Sequence, residues 1–175
     1  MNSRQDQRII WLFARAVDLL LAAAPGDLSL SPVQYFTLRF IGLHEEPTPG
    51  ALAEALNVSN AAATKLIDRL VRKGLVGRTA GTADRREKKL TLTREGERLL
   101  AAADAGREEA LGRVLARLTE REREDLHRAL DSFLAAALHD PGALKKICLY
   151  CGRLHEPACP GEQLYRRLGG PPRQV

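Results

Sequence analysis

Apolar residues recur every three or four positions near both ends of the chain, as they do along one face of an amphipathic helix. The first run predicts a helix from about Ser3 to Ala24, which Pro25-Gly26 ends. The second run predicts helices over about 94–118 and 120–139, with Thr119 as the cap between them. These apolar stripes are too large for terminal helices to leave in water, so we expect each to pack on another element.

Three helix-capping signals divide the region between these ends. Ser31 and Thr48 each precede a proline, which is favoured at the first position of a helix, and Ser59 is a third capping residue. The predicted helices cover about 31–43, 48–57 and 59–73.

A tight turn at Asn57-Val58 joins the last two of these helices, which is typical of a helix-turn-helix. Two short alternating segments, 75–79 and 89–93, follow at once and predict a β-hairpin. We therefore expect a mainly helical fold with a small β-wing, a winged helix-turn-helix. An ordinary helical hairpin with a solvated face is the alternative for the helical pattern taken alone.

Positive charge is concentrated in one part of the 175-residue chain. Residues 65–98 hold eleven Lys or Arg against five Asp or Glu, a balance of +6, whereas the whole chain carries +5. A basic segment on a near-neutral body is typical of a nucleic-acid-binding protein, although a solvated charged face also explains a single charge run. Only 5% of residues are aromatic, and single-stranded nucleic acids need aromatic stacking, so double-stranded DNA is the favoured partner.

The wing segment carries a specific motif: Asp84, Arg86, Leu90, Leu92 and Thr93 follow the order Asp-x-Arg, three residues, apolar, one residue, apolar, Thr. With Asp68-Arg69-Leu70 and Lys73-Gly74-Leu75-Val76 before it, the chain resembles the MarR family of winged-helix transcriptional regulators over about residues 5–140. The resemblance implies a homodimer on a palindromic operator, with Arg86 in the minor groove. It also implies that Asp84 orients the wing through a basic partner; Arg69 is either that partner or a phosphate contact.

The resemblance and the charge pattern together define a candidate DNA-binding set and three regions. Helical spacing and the wing motif select Ser59, Asn60, Ala61, Thr64, Lys65, Arg69, Arg85, Arg86 and Lys88. Because Ala61 to Ala63 offer no polar groups, thymine methyl contacts or DNA shape are expected to contribute much of the specificity. The regions are dimerisation helices at 1–30 and 95–140, a DNA-binding domain at 31–94 and a tail at 141–175.

All three cysteines of the chain lie in this tail, in the pattern Cys148-x2-Cys151-x3-His155-x3-Cys159. Four such ligands suit a tetrahedral zinc site. An iron-sulfur cluster is the alternative cofactor, since Cys159-Pro160 resembles the end of a ferredoxin motif. Two further interpretations involve no metal: the cysteines form a redox-sensitive thiol switch, or they have no functional role. The tail has few large apolar residues, so we expect a metal to replace a core there and the tail to have little fixed structure without it.

Other features exclude several function classes. There is no phosphate-binding loop, zinc-protease motif or paired nucleophile and base, so an enzyme is not expected. Neither a signal peptide nor a membrane-spanning stretch is predicted, so we expect a cytoplasmic protein without a membrane partner.

We predict that the protein is a repressor that responds to metal or redox state through its tail. The alternative is an architectural DNA-binding or adaptor protein with a structural zinc clip. Proteins resembling the family often bind small aromatic acids, so a small-molecule effector is also expected.

Overall fold

A computed structural model describes residues 3–22, 30–44, 47–80, 88–140, 144 and 159–170 of the chain. Seven helices and one antiparallel hairpin account for most of these residues. Among them no helix has the length and apolar content needed to cross a membrane. The elements are α1 (Ser3–Ala22), α2 (Pro32–Leu43), α3 (Pro49–Leu56), α4 (Asn60–Arg72), β1 (Val76–Ala80), β2 (Lys88–Leu92), α5 (Arg94–Leu115), α6 (Glu120–Ala137) and α7 (Pro160–Arg167).

Side-chain hydroxyls start five of the helices. The predicted caps Ser31, Thr48, Ser59 and Thr119 each accept a hydrogen bond from a backbone N–H of the first helical turn, which confirms them. Thr93 does the same at the start of α5. These bonds satisfy N–H groups that have no partner within the helix.

The main hydrophobic core lies between α2, α3, α4 and the hairpin. Its fully buried members include Leu38, Leu52, Ile67, Leu70 and Leu90. The strands pair in antiparallel register from Val76 opposite Leu92 to Ala80 opposite Lys88. Helix-turn-helix and hairpin therefore share one core, and the predicted winged helix is confirmed.

β1 begins one residue later than the sequence pattern predicts. Gly74 has a left-handed φ of 70°, and the N–H of Leu75 donates to the carbonyl of Leu70. Leu75 thus closes α4 instead of starting the strand.

The connection from the wing into α5 is close-packed. Thr93 Oγ1 donates to the carbonyl of Gly74 at 2.6 Å, and the Thr93 N–H donates to the carbonyl of Leu75 at 3.1 Å. A Cβ atom on Gly96 would lie only 2.1 Å from the Leu75 carbonyl oxygen. Glycine is therefore required where α5 crosses the end of α4.

The long terminal helices remain largely uncovered. No residue of α1 is buried along its described length, and Trp11, Leu12 and Ile9 are 77%, 70% and 66% exposed. α6 likewise contains no buried residue, and Phe133 is 47% exposed. The apolar stripes predicted at both ends thus do not belong to the hydrophobic core of the single chain.

Part of the tail has a small core that the sequence analysis did not predict. Leu144, Leu164 and Tyr165 are buried together, with Leu138 and Leu168 packed against them. α7 is thereby attached to the end of α6.

Candidate nucleic-acid interface

The turn before α4 places the first residues of this helix at the surface. Asn57 takes a left-handed conformation, with φ 53° and ψ 47°, and its N–H donates to carbonyls of α3. The Ser59 side chain then caps α4 by accepting from the Ala62 N–H at 3.2 Å. A left-handed residue followed by a hydroxyl cap ends one helix and starts the next within three residues, as a helix-turn-helix requires.

The exposed surface of α4 combines methyl groups with a few polar side chains. Thr64 Oγ1 donates its proton to the carbonyl of Asn60 at 2.8 Å, so this hydroxyl offers only acceptor capacity outward. Ala61 and Ala62 are exposed, as are Asn60 and Lys65. The Asn60 amide, the Lys65 ammonium and the Ser59 hydroxyl, whose oxygen accepts from Ala62, are therefore donors that this end of the helix presents.

An ion pair connects α4 to the wing. Arg78 on β1 donates to the Asp68 carboxylate at 2.5 Å, with side-chain exposures of 29% and 46%. The Arg72 guanidinium also donates to the main-chain carbonyl of Asp68 at 3.4 Å. The carboxylate on the exposed part of α4 is thus neutralised by a cation from the adjoining strand.

Sequence analysis did not assign a role to Arg78, although a signal for it existed. Residues two apart on a strand share a face, and Val76 is buried. Arg78 therefore belongs to the face of β1 turned towards the helices, opposite the buried Leu90. Arg78 is nevertheless exposed, and Asp68 on α4 is the acceptor that its side chain reaches.

The predicted DNA-binding residues fall into two groups. Ser59, Asn60, Ala61, Thr64, Lys65 and Arg69 all lie at exposed positions on or next to α4. Lys88 is the first residue of β2, opposite Ala80. Arg85 and Arg86, together with Asp84, lie outside the described residues, so their roles stay predictions.

A polar network joins α2 to the long helix α5. The Tyr35 hydroxyl donates to Asp104 at 2.5 Å, and Arg39 donates both to Asp104, at 2.7 Å, and to the Tyr35 oxygen. The guanidinium of Arg107 lies 3.5 Å from the centroid of the Tyr35 ring. Burial, and then the hydrogen bond to Asp104, raises the pKa of Tyr35. The network fixes the orientation of α2 relative to α5.

One of the four predicted metal ligands is within the described part of the chain. Cys159 is a half-buried, free cysteine at the N-cap of α7, and its side chain makes no capping hydrogen bond. Cys148, Cys151 and His155 lie outside the described residues. Among the residues that are described, no three His, Cys, Asp or Glu side chains group as a metal site.

Known proteins resemble part of this chain. The family model "MarR family" matches residues 30–88. The transcriptional repressor MdtR of Bacillus subtilis is 38% identical over 93 residues, which are 53% of this chain and 60% of MdtR. The transcriptional regulator HosA of Escherichia coli O157:H7 is 37% identical over 91 residues, 50% of this chain and 67% of HosA. The match thus spans about 60–67% of the length of these relatives.

Solved structures resemble a longer part of the chain. The crystal structure of YusO from Bacillus subtilis is 30% identical, with a TM-score of 0.65 over 79% of this chain and 100% of that one. Wild-type MarR from Escherichia coli in its apo form is 27% identical, with a TM-score of 0.60 over 73% of this chain and 96% of that one. Sequence and architecture agree, and the chain belongs to the MarR family, whose matched relatives are transcriptional regulators and not enzymes.

Proposed function

We propose that this protein is a repressor that binds duplex DNA sequence-specifically, as a homodimer on palindromic operators. The observation that carries the proposal is the exposed start of α4, which follows a helix-turn-helix turn and presents Asn60, Thr64 and Lys65 beside the wing. A second helix placed this way enters the major groove in helix-turn-helix proteins. Support also comes from MdtR, whose name describes a transcriptional repressor, and from a Staphylococcus aureus MepR mutant of this fold that was solved bound to an oligodeoxyribonucleotide.

Electrostatics favour the same surface. The excess of basic residues lies within 65–98, which covers the C-terminal part of α4, the wing and the start of α5. The Asp68 carboxylate within this region is paired with Arg78, so it repels the phosphate backbone less than a free carboxylate would. Binding should therefore be dominated by phosphate contacts and fall steeply as salt rises.

The exposed terminal helices support the homodimer. α1 lies against α5, yet it leaves Trp11 and Leu12 mostly exposed, and α6 leaves Phe133 exposed. Such apolar surface is rare on monomers and is covered when a second copy binds. A two-fold dimer would also present two α4 helices to successive major grooves about one turn of DNA apart.

Selection from a random duplex library, followed by anisotropy at fixed salt, tests the proposal. We expect an enriched two-fold symmetric site, bound at least about a thousandfold more tightly than unrelated duplex. The Lys65→Ala variant should weaken binding, whereas Arg113→Ala, on α5 and paired with Glu109, should not. Equal affinity for all duplexes would instead support the architectural alternative.

We also propose that Cys148, Cys151, His155 and Cys159 bind one zinc ion per subunit. The clustering of all three cysteines within twelve residues supports this site, as does Cys159 at the start of a helix attached to α6. Zinc prefers thiolate and imidazole ligands in tetrahedral sites. An iron-sulfur cluster on the same ligands is the rival, and elemental analysis separates the two.

A cavity of about 450 Å³ is our candidate for the effector site. It lies between α2, β2 and α5, and its lining includes His44, Lys89 and Leu100. Two carboxylates, Glu97 and Asp104, also line it, and Asp104 is paired with Arg39. The other cationic groups and the apolar wall suit an aromatic acid. Benzoate and related acids are the first ligands to titrate, with release of bound DNA as the readout and Leu100→Trp, which fills the cavity, as the blocking variant.

A further inference from the structure

The C-terminal helix α7 is packed on the end of α6. Leu164 and Tyr165 are 2% and 1% exposed, and they share a hydrophobic cluster with Leu144 and with Leu138, the residue that follows α6. Burial of these two large side chains stabilises the attachment of α7. Since α7 lies outside the residues 30–88 that the family model matches, its role needs a separate explanation.

An ion pair sets the register of α7 on α6. Arg167 donates two hydrogen bonds to the Asp131 carboxylate, at 2.6 and 3.1 Å. The hydrogen bond from Arg167 holds the pKa of Asp131 below its usual range. An exposed pair of this kind stabilises little by itself, but two parallel bonds fix one orientation of the helices.

The turn after α7 is shaped to hold the Tyr165 ring. Gly169 has a left-handed φ of 79°, and the N–H of Gly170 donates to the Tyr165 carbonyl at 3.0 Å. A Cβ atom on Gly170 would lie 2.3 Å from the ring, so only glycine allows this close approach. α7 and the turn that follows it therefore pack closely around one buried aromatic side chain, Tyr165.

α7 meets α6 on a face other than the one that carries its apolar stripe. Asp131 and Leu138 lie seven residues apart and thus share the face that meets α7. Leu126, Leu130 and Phe133 recur at i, i+4 and i+7 on a different face, where Phe133 is 47% exposed. No residue of α6 is buried, and α7 contacts this helix through the Asp131–Arg167 ion pair and through Leu138 at its end.

We propose that α7 is a brace that holds the C-terminal half of α6 in the orientation in which its apolar face meets a second copy of this chain. The tail then controls the strength of the dimer. This inference rests on the proposed homodimer. Cys159, the N-cap of α7, begins the brace, so whatever binds this thiol acts on the same helix.

Two variants and one matched control test the brace in the full-length chain. Tyr165→Ala removes the buried ring and Arg167→Gln removes the ion pair. Arg128→Gln removes an equal charge from α6, where Arg128 pairs only locally with Asp125. Sedimentation over a concentration series measures the dimer dissociation constant, and hydrogen exchange measures the protection of amides 131–138.

We expect Tyr165→Ala to raise the dimer dissociation constant about tenfold and Arg167→Gln about threefold, with no change in the control. Amides 131–138 should exchange faster in both variants, while those of α4 keep their rates. Unchanged exchange in both variants would show that α7 is not a brace. Faster exchange with an unchanged dissociation constant would overturn the proposal that α7 sets the strength of the dimer. A wild-type chain that is monomeric at all concentrations would instead overturn the proposed homodimer.

Discussion

The Asp68 carboxylate on α4 accepts a 2.5 Å hydrogen bond from the Arg78 guanidinium on β1. The pair joins the two elements expected to touch DNA, because one residue belongs to the helix for the major groove and the other to the wing. It also places the acid of α4 next to a cation. Loss of the Asp68 carboxylate should therefore have two opposite effects on DNA affinity. The wing loses its orientation, which weakens binding, and a negative charge is removed, which strengthens binding.

Asp68→Asn separates these two effects. Removal of an acid from a DNA-binding surface normally strengthens binding, because repulsion of phosphate falls. Here we expect binding to weaken about threefold, on the order of 0.7 kcal/mol, since Arg78 loses its partner and the wing its orientation. Glu54→Gln, at an exposed position of α3, is the matched control and should leave binding unchanged or tighter. If Asp68→Asn behaves like this control, the pair does not position the wing.

Arg86→Ala tests the wing motif. We expect operator binding to weaken by on the order of 1–3 kcal/mol, the usual scale of a specific DNA contact. Anisotropy at fixed salt measures the change, and Arg113→Ala on α5 controls for the loss of one positive charge. Unchanged operator affinity in Arg86→Ala would show that the motif residue does not contact DNA.

Gly96→Ala tests the close crossing of α5 over the end of α4. The added Cβ would meet the Leu75 carbonyl oxygen at 2.1 Å, so we expect a loss of about 1–3 kcal/mol in the free energy of unfolding. Gly112 lies in the same helix with nothing within 4 Å of a Cβ. Gly112→Ala should therefore stabilise by about 0.5–1 kcal/mol. Urea unfolding at one protein concentration compares the two; similar effects of both substitutions would contradict the crossing.

Metal analysis tests the cysteine and histidine set of the tail. Zinc should be present at one ion per subunit in protein purified under reducing conditions, and Cys148→Ser should lose most of it. Brown protein that absorbs at about 400 nm after anaerobic purification would identify an iron-sulfur cluster instead. Absence of both metals, with tail proteolysis unchanged in Cys148→Ser, would leave the cysteines without a metal role.

Local signals in the sequence determined most of the secondary structure and the family. Ser31, Thr48, Ser59 and Thr119 start helices where the sequence predicts them, because a capping hydroxyl bonds to N–H groups three residues away and needs no distant partner. The two wing strands could be predicted for the same reason, because strand alternation is visible in the sequence alone. The wing motif rested on resemblance to the MarR family.

Only the tertiary structure decided which side chains meet across elements. Tyr35 and Asp104 are 69 positions apart, and Asp131 and Arg167 are 36 apart; the sequence shows each residue but not its partner. The small core around Tyr165 was not predicted, because its members are too few for a periodic pattern and become a cluster only when α7 folds back on α6. Periodicity and capping act between neighbours in the chain, whereas these contacts depend on how whole helices pack.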